Sequence, residues 1–175
     1  MMAMIKAKYS RKALITFSII AVLSQLFVSP VLCKSDKQTP FIASFTGSVA
    51  YAEQLPPFND ELQRYYLETT GSITSGILSG SVVIKENYLF HLPDGNGLSV
   101  GSFTVSTLAG DIYVSFTAKV SDFFFFKGLY RIVGGTRLFA KVRGYGTIEG
   151  RAFGPPVGGV DVEGQVEGYI WGLPG

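Results

Sequence analysis

The chain from Phe41 onward alternates apolar and polar residues with a period of two, the pattern of β-strands that bury one face. In the clearest run, from Ile112 to Val120, an apolar residue stands at every second position. Similar runs occupy 44–53, 78–86, 102–106, 124–132, 144–149 and 160–170, and turn residues such as Pro, Gly, Asn and Asp separate most of them. The pattern predicts seven or eight antiparallel strands with short connections and almost no helix.

Two structural alternatives stay open at this point. Many short antiparallel strands form either a sandwich or a closed barrel, and glycines on the apolar face of the last two runs favour the sharply coiled strands of a small barrel. The segment after the first run is also ambiguous. Asn59 or Asp60 could cap one helical turn that extends to Arg64, or this segment could already be extended.

The first 33 residues follow a different pattern. Four cations within residues 6–12 precede an apolar run from Ala13 to Val28, and Pro30 follows it. This order is typical of a secretory signal peptide, and the run is short for a membrane-spanning helix. We therefore expect a signal helix at 1–33, cleaved before Lys34 or retained as an N-terminal anchor, then a linker at 34–40 and a barrel domain at 41–175. The protein is expected to be secreted or extracytoplasmic, and only an uncleaved leader would contact a membrane.

Composition and charge exclude one class of partner. The chain contains 14 Phe, 9 Tyr and 21 Gly but only 16% charged residues, as in sheet-rich globular proteins. The formal net charge of +2 arises in the leader, and the rest of the chain has a small excess of acidic residues. We therefore expect no nucleic-acid partner.

The scarcity of cysteine and histidine excludes several chemistries. Cys33 is the only cysteine and His91 the only histidine, so the barrel domain has no disulfide, no thiolate or multi-histidine metal site, and no Ser-His-Asp set. We expect no metal site and no cofactor. Because His91 stands beside a predicted turn, we expect it to be exposed.

A glycine-rich pattern follows the strand that reaches Val133. We expect the chain to reverse through the glycine pair after it, with at least one glycine at positive φ. Gly135→Val is therefore expected to destabilise the fold far more than Gly95→Val, since the loop of Gly95 can relax. A Thr, an aromatic residue and a Gly-x-Gly that opens the next strand complete the pattern. Its residues are Gly134, Gly135, Thr136, Phe139, Gly144 and Gly146.

This pattern resembles the signature of the allene oxide cyclase and dirigent superfamily, in which a strand ends in Gly-Gly-Thr-Gly before an aromatic residue and a Gly-x-Gly. Arg137 stands where the family has its last Gly. The resemblance is close from about Gly101 to Gly150 and implies an all-β, antiparallel, closed eight-stranded β-barrel of the calycin-like type. It also implies that the lumen is the pocket and that, in the cyclases, a carboxylate on an early strand orients a largely apolar substrate. The absence of disulfides and of Asn-x-Ser/Thr sequons argues against a glycosylated plant-type dirigent protein and favours an exported microbial relative.

Three polar residues are expected to point into the lumen. Tyr51 and Glu53 lie an even number of residues from Phe45 and Val49, so a regular strand would place all four on the same face. Glu86 likewise lies an even number of residues from the apolar positions of a later run. A buried carboxylate is costly without a partner and has a raised pKa. Glu53 is therefore the candidate catalytic residue, and Tyr51, Glu53 and Glu86 are the candidate ligand-binding residues. The alternative is that Glu53 lies past the strand end and is fully hydrated.

Two classes of function remain. The first is an exported barrel that binds a small hydrophobic molecule, dirigent-like and without chemistry of its own. The second is a cofactor-independent cyclase or isomerase that resembles allene oxide cyclase. The run from Phe123 to Phe126 is expected to pack in the core and at a subunit contact, which would make the protein a homo-oligomer. The decisive question is whether the lumen is open and carries an inward acid, or is filled by Phe103, Phe116, Phe124 and Phe126.

Overall fold

The computed structural model of this chain describes residues 37–75 and 78–173, and these residues form one closed β-barrel. Each strand pairs antiparallel with the next along the chain, and the last pairs with the first. The strands are β1 Thr39–Leu55, β2 Leu62–Thr74, β3 Gly80–His91, β4 Asn96–Thr107, β5 Gly110–Ser121, β6 Phe125–Gly135, β7 Arg143–Ala152 and β8 Asp161–Trp171. The predicted all-β, antiparallel, closed eight-stranded barrel is confirmed. The predicted signal helix lies outside the described residues.

The ambiguous segment is not helical: residues 58–61 form a bend, and 62–64 already belong to β2. The side-chain Oδ1 of Asn59 accepts hydrogen bonds from the backbone N–H groups of Glu61, at 3.0 Å, and Leu62, at 2.8 Å, and so turns the chain into β2. The sequence pattern missed β2 because its inner face includes two buried polar residues, Gln63 and Thr69. Within 37–75 and 78–173, no helix is long and apolar enough to cross a membrane.

Side chains from all eight strands fill the interior of the barrel. Alternate positions of each strand point inward, so the period of two in the sequence corresponds to burial. Residues that follow β2 and β6 cover one end, where Leu78, Phe139 and Val142 are buried. We call this end the base and the opposite end the mouth. Fully burying one such side chain stabilises the fold by about 1.5–3 kcal/mol relative to its exposure.

The glycine pair at the end of β6 does not reverse the chain, so that prediction was wrong. Gly134 and Gly135 are still paired with β5, and neither has a positive φ. Their register shifts by one residue at Val133, and such a bulge bends the strand without ending it. The chain reverses afterwards, around a 3₁₀ turn at Arg137–Phe139, and Arg137 itself has a φ of 49°. The left-handed residue therefore stands at the position where the signature has its last Gly.

The other signature residues hold this turn against the barrel. The backbone N–H of Asp111 donates to the Thr136 hydroxyl at 2.9 Å, and the N–H of Thr136 donates to the Asp111 carbonyl at 2.9 Å. Phe139 is buried under the turn, as predicted. Gly144 and Gly146 lie in β7, where the neighbouring strand approaches too closely for a Cβ.

The loop of Gly95 is not free to relax, which removes the basis for the contrast predicted between Gly95 and Gly135. Gly95 has a φ of 66°, and the ring of Phe123 occupies the space that a Cβ at Gly95 would need. A Val at Gly95 would therefore be strained by its backbone and would also collide with Phe123. Both glycines are required, for different reasons.

The strained φ of Arg137 predicts a stabilising substitution. Arg137→Gly should raise the free energy of unfolding by about 0.5–1 kcal/mol, because Gly adopts this conformation without a Cβ penalty. Arg131→Gly, on the exposed face of β6, should lower it by about 0.5–1 kcal/mol. Urea unfolding of both variants measures the difference, and equal losses of stability would contradict the prediction.

Candidate functional site

Tyr51 and Glu53 face solvent, so the prediction that they point into the lumen was wrong. The pairing of β1 with β2 shifts between Val49 and Tyr51, which makes Ala50 an extra residue in β1. One extra residue exchanges the two faces of everything that follows it in the strand. Tyr51 is 49% exposed, and its hydroxyl donates to the exposed Glu53 carboxylate at 3.1 Å. Glu53 is therefore hydrated, as the alternative predicted, but it lies within β1 and not past its end.

Glu86 is the candidate that the structure places inside the barrel, as predicted. It lies on β3 and is only 8% exposed. The hydroxyl of Ser99, on β4, donates to its Oε2 atom at 2.7 Å. Gly101 stands opposite Glu86, and a Cβ there would lie 2.8 Å from the Cβ of Glu86 and 2.9 Å from the ring of Phe116. A glycine at this register position is therefore what leaves room for the carboxyl group.

The environment of Glu86 strongly favours its neutral form. Burial raises the pKa of Glu86 to about 7, although hydrogen bonds from Ser99 and Tyr88 act in the opposite direction. Burial, together with the nearby Glu86 charge, also raises the pKa of Tyr88 well above its ordinary value. None of the ion pairs formed in the described part of the chain includes Glu86. The centre of the lumen thus holds a carboxyl, a phenol and a hydroxyl without a balancing cation.

Two cavities of about 20 Å³ flank Glu86, one toward the base and one toward the mouth. A cavity of this size has room for about one water molecule. Phe103 and Phe116 are buried and Phe126 packs against the core, whereas Phe124 is exposed at the mouth. Phenylalanine side chains therefore fill most of the lumen, as one alternative predicted. The lumen also contains an inward acid, Glu86, as the other alternative predicted.

Phe123 closes the cavity on the mouth side. Its ring packs against Phe90, with 5.9 Å between centroids, and lines the cavity together with Pro155 and Pro156. Asp122 and Phe123 have φ values of 51° and 63°, a left-handed conformation that an aromatic residue adopts at a cost of order 1–3 kcal/mol. The sequence gives no signal for this role of Phe123, because the Asp122-Phe123 pair lacks the Gly or Asn usual in such turns.

The remaining sequence candidates form no second site. His91 is partly exposed, and its Nδ1 lies 2.9 Å from the Asp94 Oδ1. Residues 37–75 and 78–173 contain no group of three metal-ligating side chains. An open cleft of about 530 Å³ lies outside the barrel over β1, lined partly by Thr46, Ser72 and Phe153. Two further polar groups near the lumen, Ser99 and Tyr88, were not among the predicted residues. Ser99 lies two residues from Gly101 on β4, and Tyr88 two residues from Glu86 on β3, so the alternation of strand faces could have placed both inside.

Solved structures share this fold, although no protein-family model and no curated protein sequence matches the chain. The structure of the pterocarpan synthase dirigent protein GePTS1 matches with a TM-score of 0.52 and 16% identity, over 82% of this chain and 96% of that one. The pterocarpan synthase dirigent protein PsPTS1 matches with a TM-score of 0.50 and 16% identity, over 82% of this chain and 100% of that one. The resemblance carried by the glycine signature is thus confirmed at the level of the fold. The chain therefore has the closed eight-stranded barrel fold of these dirigent proteins.

Proposed function

We propose that the barrel binds a small, largely apolar molecule with one hydrogen-bonding group, in the part of the lumen between Glu86 and the mouth. The observation that carries this proposal is Glu86 itself, a buried carboxyl group that no cation among residues 37–75 and 78–173 balances. Such a group destabilises an apolar core, so a purely structural barrel has no use for it. Glu86, Tyr88 and Ser99 would hold the polar group of the ligand.

The ligand enters by displacing Phe123. The cavity behind this ring is too small for anything larger than water, so binding requires the ring to swing out from Phe90. Displacement is favoured by the left-handed φ of Phe123, because movement of the turn releases strain. The site then opens at the mouth, where the Pro155-Pro156 segment forms the facing wall.

In this dirigent-like function the barrel holds its ligand in one conformation and contributes no reaction of its own. A cofactor-independent cyclase or isomerase is the second candidate, and one observation favours it. The pKa of Glu86, raised by burial to about 7, lies in the range in which a carboxyl group acts as a general acid near neutral pH. Tyr88 stands beside it as a further hydrogen-bond donor.

We also propose that the barrel acts outside the cytoplasm. Support comes from the basic and apolar leader in residues 1–33. A barrel that lacks cysteine after Cys33 is independent of the redox state of its compartment. The expected microbial origin stays a prediction.

Binding of N-phenyl-1-naphthylamine, a neutral apolar fluorophore with one N–H donor, tests the proposed site. We expect saturable fluorescence enhancement with the unaltered chain at pH 8. Glu86→Gln should weaken the affinity about tenfold, equivalent to about 1.4 kcal/mol, because the charged acceptor is lost. Phe123→Gly should strengthen binding, because it removes the ring and the backbone strain together.

Two matched substitutions serve as controls. Glu167→Gln changes an exposed carboxylate, and Phe125→Gly removes an exposed ring close to Phe123 in the chain. Neither should change the affinity. If Glu86→Gln and Glu167→Gln bind the fluorophore equally well, the lumen is not the binding site and the proposal fails.

A further inference from the structure

The loops at the mouth expose large apolar side chains. Four connections meet at this end, and every one of them carries at least one such residue between 36% and 54% exposed. Loops are ordinarily polar, so a set of apolar tips around one opening indicates an interaction surface. We call this set the mouth rim. It consists of Phe58, Leu92, Phe123, Phe124, Phe153 and Val157.

Backbone hydrogen bonds join the mouth rim into one surface. The N–H of Leu92 donates to the Glu61 carbonyl at 2.8 Å, which ties the second connection to the first. The N–H of Phe123 donates to Gly95 at 2.9 Å, which ties the third connection to the second. The N–H of Ala152 donates to the Phe124 carbonyl at 2.9 Å and brings in β7. The loops therefore present a preorganised surface rather than independent flexible tips.

Charge distinguishes the two ends of the barrel. The loops at the mouth contain Asp60, Glu61, Asp94 and Asp122 but no lysine or arginine. At the base, the loops at 75–79, 108–109 and 136–142 contain Arg137 and Lys141 but no acidic residue. Both of these cations are exposed. Two arginines reach the mouth rim from the neighbouring strands, Arg64 over the ring of Phe58 at 5.0 Å and Arg151 over that of Phe153 at 4.4 Å. Four loop carboxylates against these two cations leave a net excess of acid at the mouth, whereas the base loops carry a net excess of cations.

The base also carries exposed apolar side chains. Leu108 stands at the tip of the turn between β4 and β5 and is fully exposed, and Leu138 is exposed on the neighbouring turn. Two protruding leucines among cations at one end match an apolar rim among carboxylates at the other. A contact between two mouths would instead bring eight carboxylates together with only four arginines, since each mouth contributes four loop carboxylates, Arg64 and Arg151.

We propose that copies of this chain stack head to tail, with Leu108 and Leu138 of one copy packed on the mouth rim of the next. Arg137 and Lys141 then face the carboxylates that surround the rim. Such a contact is heterologous, because it joins two different surfaces, and it leaves one free mouth and one free base on every oligomer. Because a stacked copy covers Phe123, the neighbour and a ligand of the lumen would compete for the mouth, and the association is therefore tested without ligand.

Analytical ultracentrifugation of the full chain with two blocking variants tests the stack. Phe124→Asp places a charge in the mouth rim, and Leu108→Asp places one on the base, both at exposed positions. We expect the unaltered chain to increase in mass with concentration, and each variant alone to remain monomeric. An equimolar mixture should form dimers and nothing larger, because only one intact mouth and one intact base are available in each pair. Added salt should weaken the dimer.

Leu129→Asp, on the exposed outer wall of β6, is the control and should associate like the unaltered chain. Loss of association in this variant alone would show a contact between barrel walls and overturn the proposal. Association of Leu108→Asp by itself would show a contact that does not use the base, with the same consequence. An unaltered chain that stays monomeric at about 1 mM, where even weak specific contacts form, also overturns it. If phosphatidylcholine vesicles then retain that chain but not Phe124→Asp, the rim binds lipid instead.

Discussion

Gly135→Ala should lower the free energy of unfolding by about 3 kcal/mol, whereas Gly134→Ala should raise it by about 0.4–1 kcal/mol. The two glycines are adjacent in β6, and neither has a positive φ, so conformational freedom does not distinguish them. The surroundings do. A Cβ at Gly135 would lie 2.5 Å from the Asp111 carbonyl oxygen and 2.6 Å from that of Phe139, but at Gly134 the nearest atom would be 3.9 Å away.

The cost at Gly135 is large because backbone atoms lie on both sides. Asp111 is fixed by its two hydrogen bonds with Thr136, and Phe139 is held in the buried turn below. Neither carbonyl can withdraw without breaking the closure of the base. Thermal unfolding of the two alanine variants should show a melting temperature about 10 °C lower for Gly135→Ala. Equal melting temperatures would mean that the base is looser than this packing requires.

The second large effect is a loss of stability as the pH rises. Burial raises the pKa of Glu86 from 4.5 to about 7 in the folded chain. Between these two values the folded state keeps a proton that the unfolded state has released, so the free energy of unfolding falls with increasing pH. The total loss is on the order of 3 kcal/mol and is complete above about pH 7. Below about pH 4.5 both states are protonated and the penalty is absent.

Glu86→Gln should abolish this decline and make the barrel more stable than the unaltered chain at pH 8. Glu167→Gln, at an exposed position of β8, should leave the decline in place. The lowered pKa values of two other carboxylates, Glu68 and Asp94, act outside this window. A hydrogen bond from Tyr66 lowers the pKa of Glu68, and a backbone hydrogen bond at Asn96 lowers that of Asp94, so their stabilisation is lost only at more acidic pH. Urea unfolding at pH 5 and pH 8 measures the effect, and an identical pH dependence in Glu86→Gln and the unaltered chain would refute it.

These two results would separate the roles of the base and the lumen. Gly135 belongs to the base, which Phe139 and Val142 close, and it contributes to stability alone. Glu86 weakens the fold at the pH at which its ionised form would interact most strongly with a ligand. A carboxyl group with this property is expected at a site where binding restores the lost stability. Ligand-dependent stabilisation at pH 8 that disappears in Glu86→Gln would therefore connect the pH profile with the proposed function.

Much of the fold could be predicted from the sequence, because burial in a barrel repeats every second residue. The run from Ile112 to Val120 is β5, and the parity of Glu86 with Val82 and Ile84 placed its side chain inside. The strand β2 was not predicted, because the polar residues Gln63 and Thr69 on its inner face interrupt the apolar alternation. The glycine signature identified the fold, but the geometry expected at Gly134 and Gly135 occurs at Arg137.

The sequence by itself determined the strand period and the inward acid on β3, and it indicated the closed barrel only through the resemblance of its glycine signature. Only the tertiary structure decided which faces Tyr51 and Glu53 present, where the left-handed turn residues lie, and which glycine tolerates a side chain. The physical reason is that the alternation of inward and outward side chains can be read from one strand alone. A β-bulge, in contrast, depends on how two strands pair. Ala50 is an extra residue because Val49 and Tyr51 pair with successive residues of β2, and the sequence of β1 gives no sign of this shift. The contacts that surround Gly135 likewise come from Asp111 and Phe139, which reach it only when the barrel has closed.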